Sequence, residues 1–139
     1  MGTQALKASF LIVRPFNLII IAATTLFAMH YFQVVGGLHI YCIGLLYVGI
    51  AASGYIINDI YDLEIDTINR PTRPLPSKML TIDAAWIWYS VWILVAMGAA
   101  IPMHTLTIVF SLLCWYLTVI YAVKMKKQGF AGNAIVAFL

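Results

Sequence analysis

Charge is what this sequence has least of. Of its 139 residues only 9% are Asp, Glu, Lys or Arg, while 63% are hydrophobic and the mean hydropathy is +0.95. A soluble domain carries about a quarter of its residues charged, so this composition excludes one and points to a chain that lives in lipid. Two stretches, Pro15 to Ile57 and Ala84 to Val123, contain no charged residue at all. Each is about twice the roughly 20 residues that cross a bilayer as helix, and each therefore reads as a hairpin of two spans. Repeats, low-complexity tracts and a soluble linker are also missing. Cys42 and Cys114 show neither CxxC spacing nor a His at ligand spacing, which leaves small-hydrophobe packing as their reading. Leu6 stands where a myristoylation signal after Gly2 needs Ser or Thr. Lys7 and Arg14 precede an apolar run as in a signal peptide, but the run is of span length and the chain stays apolar beyond it, so it reads as an uncleaved first helix. No soluble basic face exists to lie on a duplex, which excludes nucleic acid as a partner.

The expected spans are residues 16 to 34, 39 to 57, 84 to 102 and 105 to 123, split by Gly36-Gly37 in the first hairpin and by Pro102 to His104 in the second. The basic residues fall between hairpins. Lys7 and Arg14 precede the first, Arg70, Arg73 and Lys78 separate the two, and Lys124, Lys126 and Lys127 follow the second. By the positive-inside rule these clusters face the cytoplasm, with the N-terminus there too, and the chain is a multi-pass protein of the cell membrane. His30, His39 and His104 fall at the opposite ends and read as interface residues. Trp86, Trp88, Trp92 and Trp115 read as membrane packing or an aromatic belt.

Against this sparse background, four of the five acidic residues crowd into positions 59 to 66. On a continuous helix Asp62 lies about 60° and Asp66 about 20° from Asp59, so the three share one face while Glu64 points away. Like charges at helical spacing repel, and carboxylates near hydrocarbon cost more still. The natural counter-ion is Mg²⁺, which takes one or two carboxylates and fills its remaining positions with water and phosphate oxygens. The three aspartates span roughly 10 Å of helix against metal–oxygen distances near 2.1 Å, so two ions bridging a multi-phosphate ligand are expected.

The pattern Asn58, Asp59, Asp62, Asp66, followed by Asn69-Arg70-Pro71 and Arg73-Pro74-Leu75-Pro76-Ser77, resembles the first aspartate-rich motif of the UbiA-type intramembrane prenyltransferases. The likeness extends to Arg14-Pro15 with Asn17, and to Gly132-Asn133 with Val136-Ala137, and so covers nearly the whole chain. Lys78 departs from it, standing where the family usually has glycine. The family's second aspartate-rich motif has no counterpart. The resemblance implies an all-α polytopic helical bundle: about four transmembrane helices plus the start of a fifth, half of a nine-helix fold. Residues 1–139 would form the N-terminal part of one such domain, with the C-terminal half missing. The apolar run that begins at Gly132 and stops at Leu139 is short of a span, so a fragment inactive by itself is expected.

The resemblance also distributes roles. Asp59, Asp62 and Asp66 are the catalytic and metal-holding residues, with Mg²⁺ gripping the diphosphate of a prenyl donor and stabilising its departure. Arg70 and Arg73, whose neighbouring prolines are expected to hold extended backbone beside the acids, suit diphosphate oxygens. Asn58 belongs to the same motif. Asn17 either faces the cavity or hydrogen-bonds a neighbouring helix. Tyr55, on the face of Asp59 with Ala52, either shields an allylic cation or packs in the core. Tyr121 and Lys124 either approach the diphosphate or anchor the interface. The acceptor is a lipid phosphate, geranylgeranylglyceryl phosphate first, or an aromatic acid such as the quinone precursor 4-hydroxybenzoate, with membrane lipids around both. The rival of another class is a non-catalytic cation-binding or transport protein. A transporter, however, buries ionisable groups near mid-span, and here every charge sits at a span end.

Overall fold

A computed structural model of the protein describes residues 2–33, 37–124 and 137. The expected fifth apolar run and the Gly36, Lys126, Lys127, Gly132, Asn133 and Val136 features lie outside these residues. Among the described residues six helices follow one another: α1 (Gly2–Ile12), α2 (Pro15–Tyr31), α3 (Leu38–Tyr61), α4 (Leu63–Asn69), α5 (Ile82–Ala100) and α6 (Thr105–Val123). By length and composition α3, α5 and α6 can each cross a membrane, and α1 with α2 makes a fourth when taken as one span bent by 42°. The protein is thus an all-helical, multi-pass bundle, as the composition implies.

The bend between α1 and α2 has a local cause. Arg14 adopts a left-handed backbone, φ 52°, directly before Pro15, and its carbonyl accepts from the N–H groups of Asn17 and Leu18. Proline at the first helical position loses nothing, because that N–H has no partner inside the helix anyway. α5 begins on Thr81, whose side chain accepts from the Ala84 N–H at 3.2 Å, with Asp83 in the first turn favoured by the helix dipole. α3 runs to Tyr61, four residues past the expected end of the span at 57 and short of Asp66, to which the helix was expected to continue. Residues 58–61 contain no breaker, and Asp59 is held by pairing partners described below.

α3 is the central helix. Buried positions make up 39% of its apolar window, against 17% for α5 and 11% for α6, although α6 is the more hydrophobic of α3 and α6. Small residues explain the difference. A Cβ added at Gly49 would stand 2.9 Å from Ala96 Cβ and 3.0 Å from the Trp92 carbonyl oxygen, and one at Gly54 would stand 2.8 Å from Thr118 Cγ2. α5 and α6 therefore approach α3 at backbone distance, the usual means of helix association in lipid, where Leu against Leu offers no hydrophobic gain. Large side chains such as Phe27, Leu94 and Ile101 are left exposed toward what would be lipid.

One end of the bundle carries most of the buried core. Ala8 and Ile12 of α1, Val13 just after it, Leu18 of α2, Ala52 and Ile56 of α3, Ala85 of α5, and Leu75 and Leu80 of the loop after α4 pack in a single cluster. Trp88 Nε1 ties α5 to α1 by donating to Ser9 Oγ at 2.9 Å.

Candidate substrate and metal site

The site forms where α3 ends. Asp59, in the last turn of α3, is 4% exposed, and Asp66, in α4, is 6% exposed. Carboxylates so buried cost several kcal/mol unless they are paired. Two arginines distant in sequence supply the pairing. Arg14 Nη2 donates to Asp59 Oδ1 at 2.5 Å, and Arg73 Nη1 donates to that same oxygen at 3.2 Å and to Asp66 Oδ2. A single guanidinium nitrogen of Arg73 thus stands between two carboxylates. The guanidinium carbon of Arg14 also lies 4.9 Å over the Tyr55 ring. The face expected for Tyr55 and Asp59 is confirmed, and the cation the ring meets is Arg14.

Asp62 does not join the other two aspartates at this point. Its backbone, φ −92° and ψ 2°, ends α3 and opens α4. The hydrogen-bond ladder continues across it, since Asp62 N donates to the Asn58 carbonyl and Asp66 N donates to the Asp62 carbonyl. The regular helix assumed from Asp59 to Asp66 is thus interrupted at Asp62 by its backbone dihedrals, although these two bonds bridge the interruption. Among the described residues no three Asp, Glu, His or Cys side chains gather as a group that could hold a metal, so the expected face of three acids is replaced by a pair. Glu64 is exposed, as its phase requires. Two carboxylates converging on one point are nevertheless oxygen donors of the kind that a hard divalent cation takes, one or two at a time. Asn58, next to Asp59 in sequence, lines the cavity described below and carries a buried amide oxygen that accepts no hydrogen bond among the described residues. The donor set fits such an ion once the Arg73 nitrogen leaves the gap.

The proline-rich loop overturns another expectation. Its backbone is tightly turned instead of extended: Arg73 N bonds to the Arg70 carbonyl, Ser77 N to Arg73, Lys78 N to Leu75 and Leu80 N to Pro74. Leu75 and Leu80 go into the core, and this folds Arg73 back over the acids. Lys78 has φ 60°, a conformation that glycine adopts freely and other residues rarely do, which explains why glycine would be at home there.

The remaining predicted residues are spread around this end. Arg70 is exposed after α4. Asn17 is half-buried in the first turn of α2. Tyr121 is half-buried in the last turn of α6 and Lys124 is exposed just after it; no hydrogen bond or ion pair joins either to Asp59 or Asp66. Asn58 and Tyr55 line a cavity of about 430 Å³ between α2, α3 and α6, which continues past Ile21, Ala51, Gly54 and Cys114 to Thr25 and Tyr47. Arg14 is the site residue that sequence reasoning used only for topology and for the Arg14-Pro15 likeness. The available signal was its place, directly before the first span and on the same side as the acids.

Comparison with known proteins follows the same line. A model of the UbiA prenyltransferase family matches residues 16–139. A digeranylgeranylglyceryl phosphate synthase from Methanoregula boonei is 34% identical over 139 aligned residues, covering 98% of this chain and 49% of that protein. The synthase of the same name from Sulfolobus acidocaldarius is 43% identical over 88 residues, covering 63% of this chain and 32% of that protein. The chain spans no more than about half the length of these relatives. A solved structure from work on digeranylgeranylglyceryl phosphate synthase in membranes superposes with a TM-score of 0.80 at 22% identity, covering 96% of this chain and 52% of that one. It establishes the shared fold.

Proposed function

This chain belongs to the UbiA prenyltransferase family, and from that premise we propose that it is the diphosphate-binding part of an enzyme moving an isoprenyl group from a prenyl diphosphate to a lipid phosphate in the membrane. The acceptor is geranylgeranylglyceryl phosphate, in keeping with the names of its relatives. In this reading residues 1–139 are the N-terminal part of one domain, and the charged end of the bundle faces the cytoplasm, where the basic clusters put it. The observation that carries the proposal is the pairing of Arg14 and Arg73 with Asp59 and Asp66 next to a largely apolar cavity, to which Tyr55, lying under the Arg14 guanidinium and lining the cavity wall, connects them. Charged groups beside an apolar cavity match a molecule with a diphosphate head and an isoprenoid tail.

Asp59 and Asp66 are the residues that would hold Mg²⁺, whose chemistry there would be to neutralise the diphosphate and ease its departure from carbon. Arg73, now shared between two carboxylates, turns its hydrogen bonds to diphosphate oxygens when the head group enters, and Arg14 does the same from the other side. Arg70 and Lys124 add positive charge at the rim. Tyr55 offers its ring face to the allylic carbon as positive charge develops there. Asn58 and Asn17 orient the head group through their amides. The walls of the cavity keep water from the cation until the acceptor oxygen attacks it, so the residues need form no covalent intermediate.

Membranes in which these residues are expressed together with the remainder of the domain they are proposed to belong to test this directly. They are given labelled geranylgeranyl diphosphate with either geranylgeranylglyceryl phosphate or 4-hydroxybenzoate, and the product is identified by mass. A digeranylgeranylated glyceryl phosphate is expected. A product with 4-hydroxybenzoate alone would move the enzyme to the quinone branch, and no product with either would contradict the reading.

A further inference from the structure

The cavity behind Asn58 is one of two that lie end to end along the groove between α2 and α3. The inner one, about 430 Å³, reaches from Asn58 to Tyr47 on α3 and from Ile21 to Thr25 on α2. The outer one, about 400 Å³, takes up there and runs past Ile43 on α3 and Met29 to Phe32 on α2. Thr25 and Tyr47 are the two residues that line both. The Thr25 hydroxyl is satisfied by the Ile21 carbonyl at 2.8 Å, so the partition leaves no unmet donor on that side. Side chains on a helix lean toward its N-terminus, which carries the Tyr47 ring toward Ile43, across the outer end of the inner cavity.

We infer that Tyr47, which with Thr25 lines the junction of the two cavities, is the stop that sets how long an isoprenoid chain the inner cavity accepts. This rests on the prenyl diphosphate reading given above. The occupant follows from continuity, because Tyr55 both lies under the Arg14 guanidinium of the charged site and lines the cavity wall, so a molecule held by its diphosphate there has its tail along this groove. The available depth fits a definite length. Eleven residues of α3 separate Asn58 from Tyr47, about 16 Å at 1.5 Å per residue. An isoprene unit contributes four chain bonds, roughly 4.5 Å when scaled from the ~3.5 Å of a three-bond peptide repeat. The inner cavity therefore holds roughly three to four units before the tail meets Tyr47. Beyond the ring lies a more open groove of nearly equal volume, whose walls at Ile43 and Met29 are apolar. Removing the ring joins the two.

The test measures competition by geranyl, geranylgeranyl and hexaprenyl diphosphates against labelled geranylgeranyl diphosphate, with Mg²⁺ present, on the protein in detergent. In the wild type, affinity rises from geranyl to geranylgeranyl and gains nothing from hexaprenyl. Tyr47→Ala should raise the hexaprenyl-to-geranylgeranyl affinity ratio about tenfold, the effect of burying two more methylene groups. Tyr47→Trp should lower the geranylgeranyl-to-geranyl ratio by a similar factor. Tyr47→Leu, closer in volume to the original, replaces the alanine variant if that one fails to fold. A melt that matches the wild type together with unchanged ratios in the smaller and larger variants overturns the stop while leaving the donor reading intact. A wild type that binds none of the three diphosphates overturns the donor reading and the stop with it.

Discussion

Where α3 ends, side chains from α1, α2, α3, α5 and the loop after α4 meet in one buried cluster, capped by three ion pairs from Arg14 and Arg73 to Asp59 and Asp66. Nearer its start, only Leu46 packs with Ala96 and Ala99, supported by Ile50, Ala100 and Met103. Both regions belong to the same helix, of the same apolar character. The first is organised by contacts between residues far apart in sequence, the second by the close approach of α5 to small side chains. A site that must present charge to a ligand without rearranging its scaffold needs the first kind of construction.

The largest test of that contrast is Arg73→Ala. It takes from Asp59 and Asp66 a donor they share, and leaving buried carboxylates short of a partner costs about 3 kcal/mol or more. Arg14→Ala should cost less, because its side chain is a third exposed and Asp59 keeps Arg73. Thermal unfolding in detergent ranks the two, and an Arg14 variant at least as damaged as the Arg73 variant would show that the shared nitrogen is not the keystone. Next in size is Gly49→Ala, away from the charged end. The new methyl meets the Trp92 carbonyl and the Ala96 backbone, which cannot step aside as a side chain can, and overpacking of this kind costs roughly 1–3 kcal/mol. An unchanged melting temperature there would mean that α5 slides freely along α3. Smallest is Lys78→Gly, which relieves a left-handed backbone of about 1 kcal/mol and gives part of that back through the added freedom of the unfolded chain. A gain of up to about 1 kcal/mol, read from the same melts, is expected.

How far the sequence could be read follows the same division. The spans were legible because hydrocarbon length and the scarcity of charge act locally, and 105 to 123 coincides with α6. The acidic cluster was legible because charge so placed needs a partner. The identity of that partner was not, since Arg14 meets Asp59 across 45 positions and nothing local to either residue announces the other. The break at Asp62 was equally hidden: no Gly or Pro stands there, and the loop that follows turns sharply because Leu75 and Leu80 are drawn into a core assembled from other helices. The prolines suggested extension, and burial of their leucine neighbours decided otherwise.

The central claim is that the paired arginines and aspartates are where a diphosphate head group docks together with a divalent cation. Equilibrium binding of labelled geranylgeranyl diphosphate to the detergent-purified protein, with Mg²⁺ and with the ion chelated, tests it most directly. The account predicts saturable binding that depends on Mg²⁺, is competed by inorganic diphosphate, weakens at least ~10-fold in Asp66→Asn, and changes less than ~2-fold in Glu64→Gln, whose side chain faces solvent. Binding that is indifferent to Mg²⁺ and to Asp66, or that falls equally in the Glu64 variant, would contradict it.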